Sequence, residues 1–165
     1  DSNVRKSASL VLRSLEQAVD MCQSMMDYLA KTPSPQITNF DLPELLAEIK
    51  AASLLEIQYK GPRIMHADRM MMSRIFLNMA RNGGTAGANK LFVEVWQVGH
   101  LAVVDMNDNG SGGGLGLAIS RDLAVVQGGF LRLSRSSSDG TEFRIHFPTS
   151  VFQLWKRNLS LIGTI

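Results

Sequence analysis

A glycine-rich run behind one acidic residue holds the groups of this sequence best suited to bind a phosphate. Asp108 opens the run, and five glycines lie within residues 110–116. Glycines at a strand-to-helix junction let backbone N–H groups approach a phosphate, and the following helix N-terminus adds the positive end of its dipole. The Asp108 carboxylate can accept a hydrogen bond from the amino group of a base. These groups together suit a nucleotide.

The run does not match the two common phosphate-binding motifs. No Gly-Lys-Ser/Thr follows it, which excludes a Walker A loop, and the preceding elements do not form a short parallel βαβ unit, which excludes the dinucleotide fingerprint. A flexible surface turn is the alternative interpretation of this segment when it is considered by itself.

Two asparagines on one predicted helix are a second group with possible chemistry. Asn78 and Asn82 are four residues apart in a helix expected over residues 69–82, so they share one face. A carboxamide oxygen is a hard ligand that suits Mg²⁺. The alternative is a solvated helix end, with Asn82 near the C-cap before Gly83 and Gly84.

A long amphipathic helix over residues 4–31 precedes these groups, because its apolar residues recur at spacings of three and four. The stripe consists of Val11, Leu15, Ala18, Val19, Cys22, Met25, Met26 and Leu29. Pro33 and Pro35 end the helix and form a stiff linker. We therefore divide the chain into a helix and linker (1–35), a domain (36–148) and a tail (149–165). The apolar residues of the tail predict a short amphipathic helix.

The domain 36–148 alternates between strand and helix patterns. Strands are expected at 37–40, 56–60, 64–66, 90–98, 101–106, 130–135 and 141–147, and helices at 42–52, 69–82 and 115–127. Asp41 and Asp68 are expected to cap the first two helices. Helices that interrupt a mostly antiparallel sheet indicate an α+β fold, a two-layer α/β sandwich.

Composition excludes several classes of function. The net charge of the 165 residues is only +2, and the basic residues are scattered, so we expect no nucleic-acid partner. The single cysteine, Cys22, excludes an internal disulfide framework and suits a reducing compartment. No run reaches the ~18 apolar residues that a bilayer span needs. For His66, His100 and His146 we expect structural or surface roles.

The order of these motifs resembles the ATP-binding domain of sensor histidine kinases, which has the Bergerat fold of the GHKL group. The N box is matched by residues 78–82, the G1 box by 108–112, the G2 box by 112–117, and the Gly-Thr element by Gly140-Thr141. The resemblance covers residues 36–148. The helix 4–31 is similar to the second helix of the dimerisation and histidine-phosphotransfer region, and the resemblance implies that this long dimerisation helix precedes the ATP-binding domain.

The resemblance implies an ATP site with Mg²⁺ as the metal. Asp108 would accept a hydrogen bond from the adenine amino group, and Thr141 would support the polar network on that side. Asn82 would coordinate the Mg²⁺ that bridges the phosphates, and Asn78 would support the phosphate end. The other implied ATP-binding residues lie in the glycine-rich run: Gly110, Gly112, Gly114, Leu115, Gly116 and Leu117.

Within that run the resemblance implies two roles. Gly110 and Gly112 would let the backbone pass close to the base. Gly114 and Gly116 would present N–H groups to the phosphates.

The implied reaction transfers the γ-phosphoryl group of ATP to a histidine and then onward to an aspartate of a response regulator receiver domain. No histidine of this chain has the phosphoacceptor context of the family, so no catalytic residue is assigned. The resemblance also implies a homodimer through helix 4–31 and a cytoplasmic domain, with a parent protein that can be attached to the inner membrane. The alternatives are a degenerate scaffold that binds no ATP, and another GHKL ATPase or serine kinase.

The chain departs from the family pattern in the lid that separates the G1 and G2 boxes, because here the two boxes share Gly112. Thr85 stands where the family commonly has Lys or Arg, and the segment from Asn82 to Lys90 offers no helical ending. The lid is either degenerate, deleted, or missing from this sequence together with other segments. We favour the last explanation, with breaks expected at 82/83 and 112/113.

Overall fold

The computed structural model describes residues 34–111 and 117–148, together with Val11, Leu15 and Val19. These three N-terminal residues are helical, and the rest of the helix expected over 4–31 lies outside the described residues. The tail 149–165 lies outside them as well. The division of the chain at residues 35 and 148 stays a prediction.

Seven strands and three helices lie within residues 34–111 and 117–148. In chain order they are β1 (Ile37–Asp41), α1 (Leu42–Ser53), β2 (Glu56–Lys60), β3 (Ile64–Asp68), α2 (Arg69–Thr85), β4 (Lys90–Val98), β5 (Leu101–Asp108), α3 (Leu117–Val126), β6 (Phe130–Ser137) and β7 (Gly140–Pro148). No helix in these ranges has the length and hydropathy that crossing a membrane requires.

The main sheet has five strands in the order β2-β4-β5-β7-β6, and β1 pairs with β3 in a separate two-stranded sheet. All neighbouring strands are antiparallel except β2 and β4, which run parallel. The helices pack against one face of the main sheet, so the predicted two-layer α/β sandwich is confirmed. The core between the layers includes Leu45, Met72, Ile75, Phe76, Met79, Val93, Val104 and Ile145.

Both predicted helix caps are present. The Asp41 side chain accepts a hydrogen bond from the backbone N–H of Glu44 at 3.0 Å, at the start of α1. The Asp68 side chain accepts one from the N–H of Met71 at 2.9 Å, at the start of α2. Each carboxylate satisfies a backbone donor that the first turn of a helix leaves unpaired, and its charge suits the helix dipole.

The C-terminal end of α2 differs from the prediction. The helix does not end at Asn82 but runs through Gly83 to Thr85, and Ala86 is its C-cap. The helix is therefore three residues longer than expected, and the alternative of a C-cap at Asn82 is wrong. The break expected at 82/83 concerns residues missing from the sequence and stays a prediction. Glycine is a poor helix former, but Gly83 is buried, and a side chain there would meet Asp108. Tertiary packing therefore overrides the low helix propensity of Gly83. The break expected at 112/113 lies outside the described residues.

Candidate functional site

The paired ends of β5 and β7 place two of the predicted site residues side by side. Asp108 is the register partner of Thr141 on β7 and of Leu91 on β4. Asp108 and Thr141 are each only 6% exposed. The Oδ1 atom of Asp108 accepts a hydrogen bond from the backbone N–H of Gly110 at 2.9 Å. A carboxylate is thereby held nearly out of solvent at one end of the main sheet.

Three glycines from different parts of the chain surround Asp108. A Cβ atom on Gly83 would lie 3.1 Å from the Asp108 Cβ atom, and one on Gly110 would lie 3.1 Å from its Oδ1 atom. A Cβ atom on Gly140 would lie 2.2 Å from the Asp108 carbonyl oxygen. Because these residues have no side chains, a helix and a loop can approach the Asp108 side chain closely and a strand can approach its backbone carbonyl. Of the three glycines, only Gly110 is among the residues for which the sequence predicts a role in the ATP site.

The helix α2 brings Asn82 to the same end of the sheet, because the next residue, Gly83, lies against Asp108. Asn82 is 7% exposed, and its Nδ2 atom is buried without a hydrogen-bond partner among the described residues. Buried amide groups are nearly always paired, so an unpaired one indicates capacity for a further polar partner. The predicted placement of Asn82 inside a site is thus compatible with its surroundings.

Asn78 lies one turn earlier on the same side of α2 and is half-buried. Its Nδ2 atom donates to the hydroxyl oxygen of Ser120 on α3 at 3.2 Å. Ser120 is fully buried and is not among the site residues predicted from the sequence. The available signal was its position three and four residues before Leu123 and Ala124, on the apolar side of the helix. Asn78 therefore ties the helix that carries Asn82 to the helix that follows the glycine-rich run.

The loop after Asp108 is fixed by the side chains of Asn109 and Ser111, which are not among the site residues predicted from the sequence. The Asn109 Oδ1 atom accepts hydrogen bonds from the N–H groups of Asn89 and Lys90, each at 3.0 Å. The N–H and hydroxyl groups of Ser111 both donate to the carbonyl oxygen of Ala86, at 2.8 and 3.0 Å. Hydrogen bonds thus hold residues 109–111 against residues 86–90, the segment that follows α2.

The phosphate half of the predicted site lies largely outside the described residues. This holds for Gly112, Gly114, Leu115 and Gly116. Leu117 is the first described residue of α3, is half-buried, and packs against the core. Their predicted contacts with phosphates stay predictions.

A depression of about 270 Å³ adjoins the same end of β5. It is lined in part by Asp108, Phe92, Lys90, Arg135 and Asp139, but neither Asn82 nor Thr141 contributes to it. We place the candidate site around Asp108, Asn82 and Thr141 and not in the depression, because these three residues are polar and buried. No group of three His, Cys, Asp or Glu residues in the described ranges could hold a metal ion.

Comparison with known proteins identifies the fold. No family model and no curated protein sequence matches the chain. Among solved structures, the histidine kinase AdeS of Acinetobacter baumannii is similar with a TM-score of 0.67 at 17% identity, over 90% of this chain and 85% of that one. The ATP-binding domain of PrrB from Mycobacterium tuberculosis is similar with a TM-score of 0.57 at 21% identity, over 68% of this chain and 96% of that one.

A third similar structure is that of histidine kinase ThkA in complex with its response regulator protein TrrA. The TM-score is 0.67 at 17% identity, over 87% of this chain and 51% of that one. Identities this low establish a shared fold. The two-layer sandwich described above, with Asp108 at its sheet end, thus has the ATP-binding catalytic-domain fold of the sensor histidine kinases.

Proposed function

We propose that residues 36–148 bind ATP at the end of the main sheet and supply it for phosphorylation of a histidine. The observation that carries this proposal is the burial of Asp108. Burying a carboxylate is costly unless hydrogen bonds compensate for the lost water. Its two oxygens can accept several hydrogen bonds, and the Gly110 N–H supplies one of them. A base amino group is a suitable further donor.

The same chemistry favours adenine over guanine. The exocyclic amino group of adenine is a donor, whereas guanine presents a carbonyl oxygen at the corresponding position, and two acceptors repel each other. Thr141 lies next to Asp108 and adds a hydroxyl group to the base-binding side. The chain also shares its fold with the ATP-binding domain of PrrB, which supports ATP as the nucleotide.

The residues present fit Mg²⁺ as a companion of the nucleotide. Mg²⁺ prefers oxygen ligands and keeps several water molecules, so one protein carboxamide plus phosphate oxygens is a suitable donor set. Asn82 offers that carboxamide in a buried position: its Oδ1 atom would be the ligand, and its unpaired Nδ2 atom is a donor suited to a phosphate oxygen. When bound, the ion would neutralise phosphate charge. The role of this chain is to position the nucleotide.

Replacing Asn82 by alanine is expected to weaken Mg-ATP binding much more than adenosine binding, because only the phosphates carry the ion. Isothermal titration calorimetry with both ligands measures the difference. Asn39→Ala is the matched control, since Asn39 is an exposed asparagine on β1, in the other sheet. An equal loss of adenosine and Mg-ATP affinity would show that Asn82 has only a structural role.

The complete reaction needs partners outside the described domain. We propose that the acceptor histidine belongs to a dimerisation and phosphotransfer region, and that the phosphoryl group then passes to the receiver domain of a response regulator. The complex of ThkA with TrrA, which shares the fold, supports a regulator of this type. A cytoplasmic location and attachment of the parent protein to a membrane belong to the same proposal.

We further propose that the helix 4–31 pairs with a second copy of itself. Val11, Leu15 and Val19 are spaced by four residues and are 58%, 59% and 62% exposed. Leaving such an apolar stripe in water is unfavourable, since burial of each side chain contributes about 1.5–3 kcal/mol. Sedimentation equilibrium is expected to show a dimer that Leu15→Asp plus Val19→Asp dissociates.

The control for that experiment is Gln17→Asp plus Ser24→Asp, which adds the same charge on the opposite side of a helical wheel. This double variant is expected to remain dimeric. A wild-type chain that stays monomeric at high concentration would contradict the proposed pairing.

A further inference from the structure

The main sheet has a second face that none of the described helices covers. Residues of β4, β5 and β7 that point to the helices, such as Val93, Val104 and Ile145, belong to the core. Their sequence neighbours point the other way, because side chains alternate along a strand. One row of this outer face carries the charged residues Glu94, Asp105, Arg144 and Arg132, whereas the part nearer the hairpin between β4 and β5 is apolar.

A row of four apolar or aromatic side chains crosses the outer face. The strand registers place Trp96 opposite Val103, Val103 opposite His146, and His146 opposite Phe130. The rings of Phe130 and His146 are stacked, with centroids 4.5 Å apart and planes 9° apart. The guanidinium of Arg144 lies 5.4 Å from the centre of the Trp96 ring. The row is therefore a packed structure and not a chance exposure of single side chains.

The next row toward the β4–β5 hairpin is apolar as well. Val98, Leu101 and Pro148 are register neighbours. Val98 is 58% exposed and Leu101 is 37% exposed. We call the two rows together the outer patch: Trp96, Val98, Leu101, Val103, Phe130, His146 and Pro148. Val98, Leu101 and Phe130 are its exposed members, Trp96, His146 and Pro148 are half-buried, and Val103 is 3% exposed. An apolar patch of this kind on a sheet marks a surface suited to a covering element.

His146 contributes a neutral ring to the outer patch. Burial lowers the pKa of His146 below its ordinary value, and the nearby Arg132 and Arg144 lower the pKa further, against a smaller opposing effect of Asp105. Its Nδ1 atom is buried without a hydrogen-bond partner in the described part of the chain. An uncharged imidazole stacked on Phe130 behaves as part of an apolar surface.

The chain leaves the sheet at this patch. Pro148 is both a member of the outer patch and the last residue of β7, so residues 149–165 start there. Within them, Phe152, Trp155, Leu159 and Ile162 recur at spacings of three and four, as on one side of a helix. Neither this stripe nor the outer patch is used by the proposed nucleotide site.

The dimensions of the two surfaces agree. Twelve residues of helix measure about 18 Å, and four neighbouring strands span about 14 Å. A segment tethered next to its binding surface also has an effective concentration in the millimolar range, so weak apolar contacts suffice. We propose that residues 151–162 form a helix whose apolar side covers the outer patch of the same chain.

The sequence offers a direct probe, because its two tryptophans are Trp96 in the outer patch and Trp155 in the segment. In a Trp155→Phe background, Trp96 is the single emitter. Adding Phe152→Asp plus Leu159→Asp is expected to shift its emission to longer wavelength and to raise its quenching by acrylamide. The control, Gln153→Asp plus Ser160→Asp, adds the same charge on the other side of the stripe and is expected to leave both readouts unchanged.

A reciprocal experiment reports from the segment. In a Trp96→Phe background, Phe130→Ser is expected to increase the quenching of Trp155. Leu133→Ser is the control, since Leu133 lies on the same strand outside the outer patch and is 48% exposed, against 47% for Phe130. This measurement decides the question if the aspartate variants fail to fold.

Three results would overturn the proposal. Trp96 quenching that does not respond to Phe152→Asp plus Leu159→Asp in the folded protein would show that the segment does not cover the outer patch. Shielding of Trp96 that disappears on dilution would identify a second copy as the cover. Shielding that depends on Leu15 and Val19 instead would identify the N-terminal helix.

Discussion

Replacing Asp108 by asparagine is expected to lower ATP affinity about ten- to hundredfold, because a charge-assisted hydrogen bond in a buried site contributes roughly 1.5–3 kcal/mol. The asparagine oxygen can still accept the N–H of Gly110, so the local backbone is retained. Isothermal titration calorimetry with ATP and GTP measures the loss. The wild type is expected to bind ATP in strong preference to GTP, and the variant is expected to lose that preference.

Asp139→Asn is the matched control for this substitution. Asp139 is an exposed aspartate in the turn between β6 and β7, near the same end of the sheet. Its replacement removes an equal charge and is expected to leave ATP affinity unchanged. Equal binding of ATP and GTP by the wild type, or an unaltered affinity of the Asp108 variant, would favour a scaffold of this fold that binds no ATP.

Replacing Gly140 by alanine is expected to cause the largest loss of stability. Its backbone φ is +145°, which L side chains rarely adopt, and its new Cβ atom would lie 2.2 Å from the Asp108 carbonyl oxygen. Backbone strain and overpacking together are expected to lower the free energy of unfolding by about 3–5 kcal/mol. Urea denaturation followed by circular dichroism measures it.

Gly99→Ala separates the two causes. Gly99 also has a positive φ, +56°, but no atom lies within 4 Å of its added Cβ position. Only the conformational term applies there, so the expected loss is about 1–2 kcal/mol. Equal losses for the two variants would mean that the contact with Asp108 contributes nothing. Because the clash would displace the backbone that carries the Asp108 side chain, Gly140→Ala is also expected to weaken ATP binding in whatever fraction remains folded.

The local elements of this protein were predictable because their signals are local. Asp41 and Asp68 precede apolar helix patterns and cap them in the structure, as expected. The alternating patterns of residues 90–98 and 101–106 predicted two strands, and β4 and β5 form there and pair antiparallel. The residue types around Asp108 and Asn82 predicted a candidate site at these positions, whose binding of a nucleotide stays a prediction.

Errors arose where distant residues decide the outcome. The end of α2 was predicted from the low helix propensity of Gly83, but packing against Asp108, 25 positions later in the chain, keeps that glycine in the helix. The parallel pairing of β2 with β4 has no local signal either, since it depends on the path of the chain through β3 and α2. Helix propensity is a weak preference that such contacts override.

The sequence by itself determined which segments form helices and strands and which residue types are available for binding a nucleotide. Only the tertiary structure decided that Asp108 and Thr141 are neighbours, that Asn78 bonds to Ser120, and that four strands assemble one apolar row on the outer face. The physical reason is the range of the interactions. Capping and periodicity act within a few residues, whereas strand register and side-chain packing join residues that are far apart in the chain.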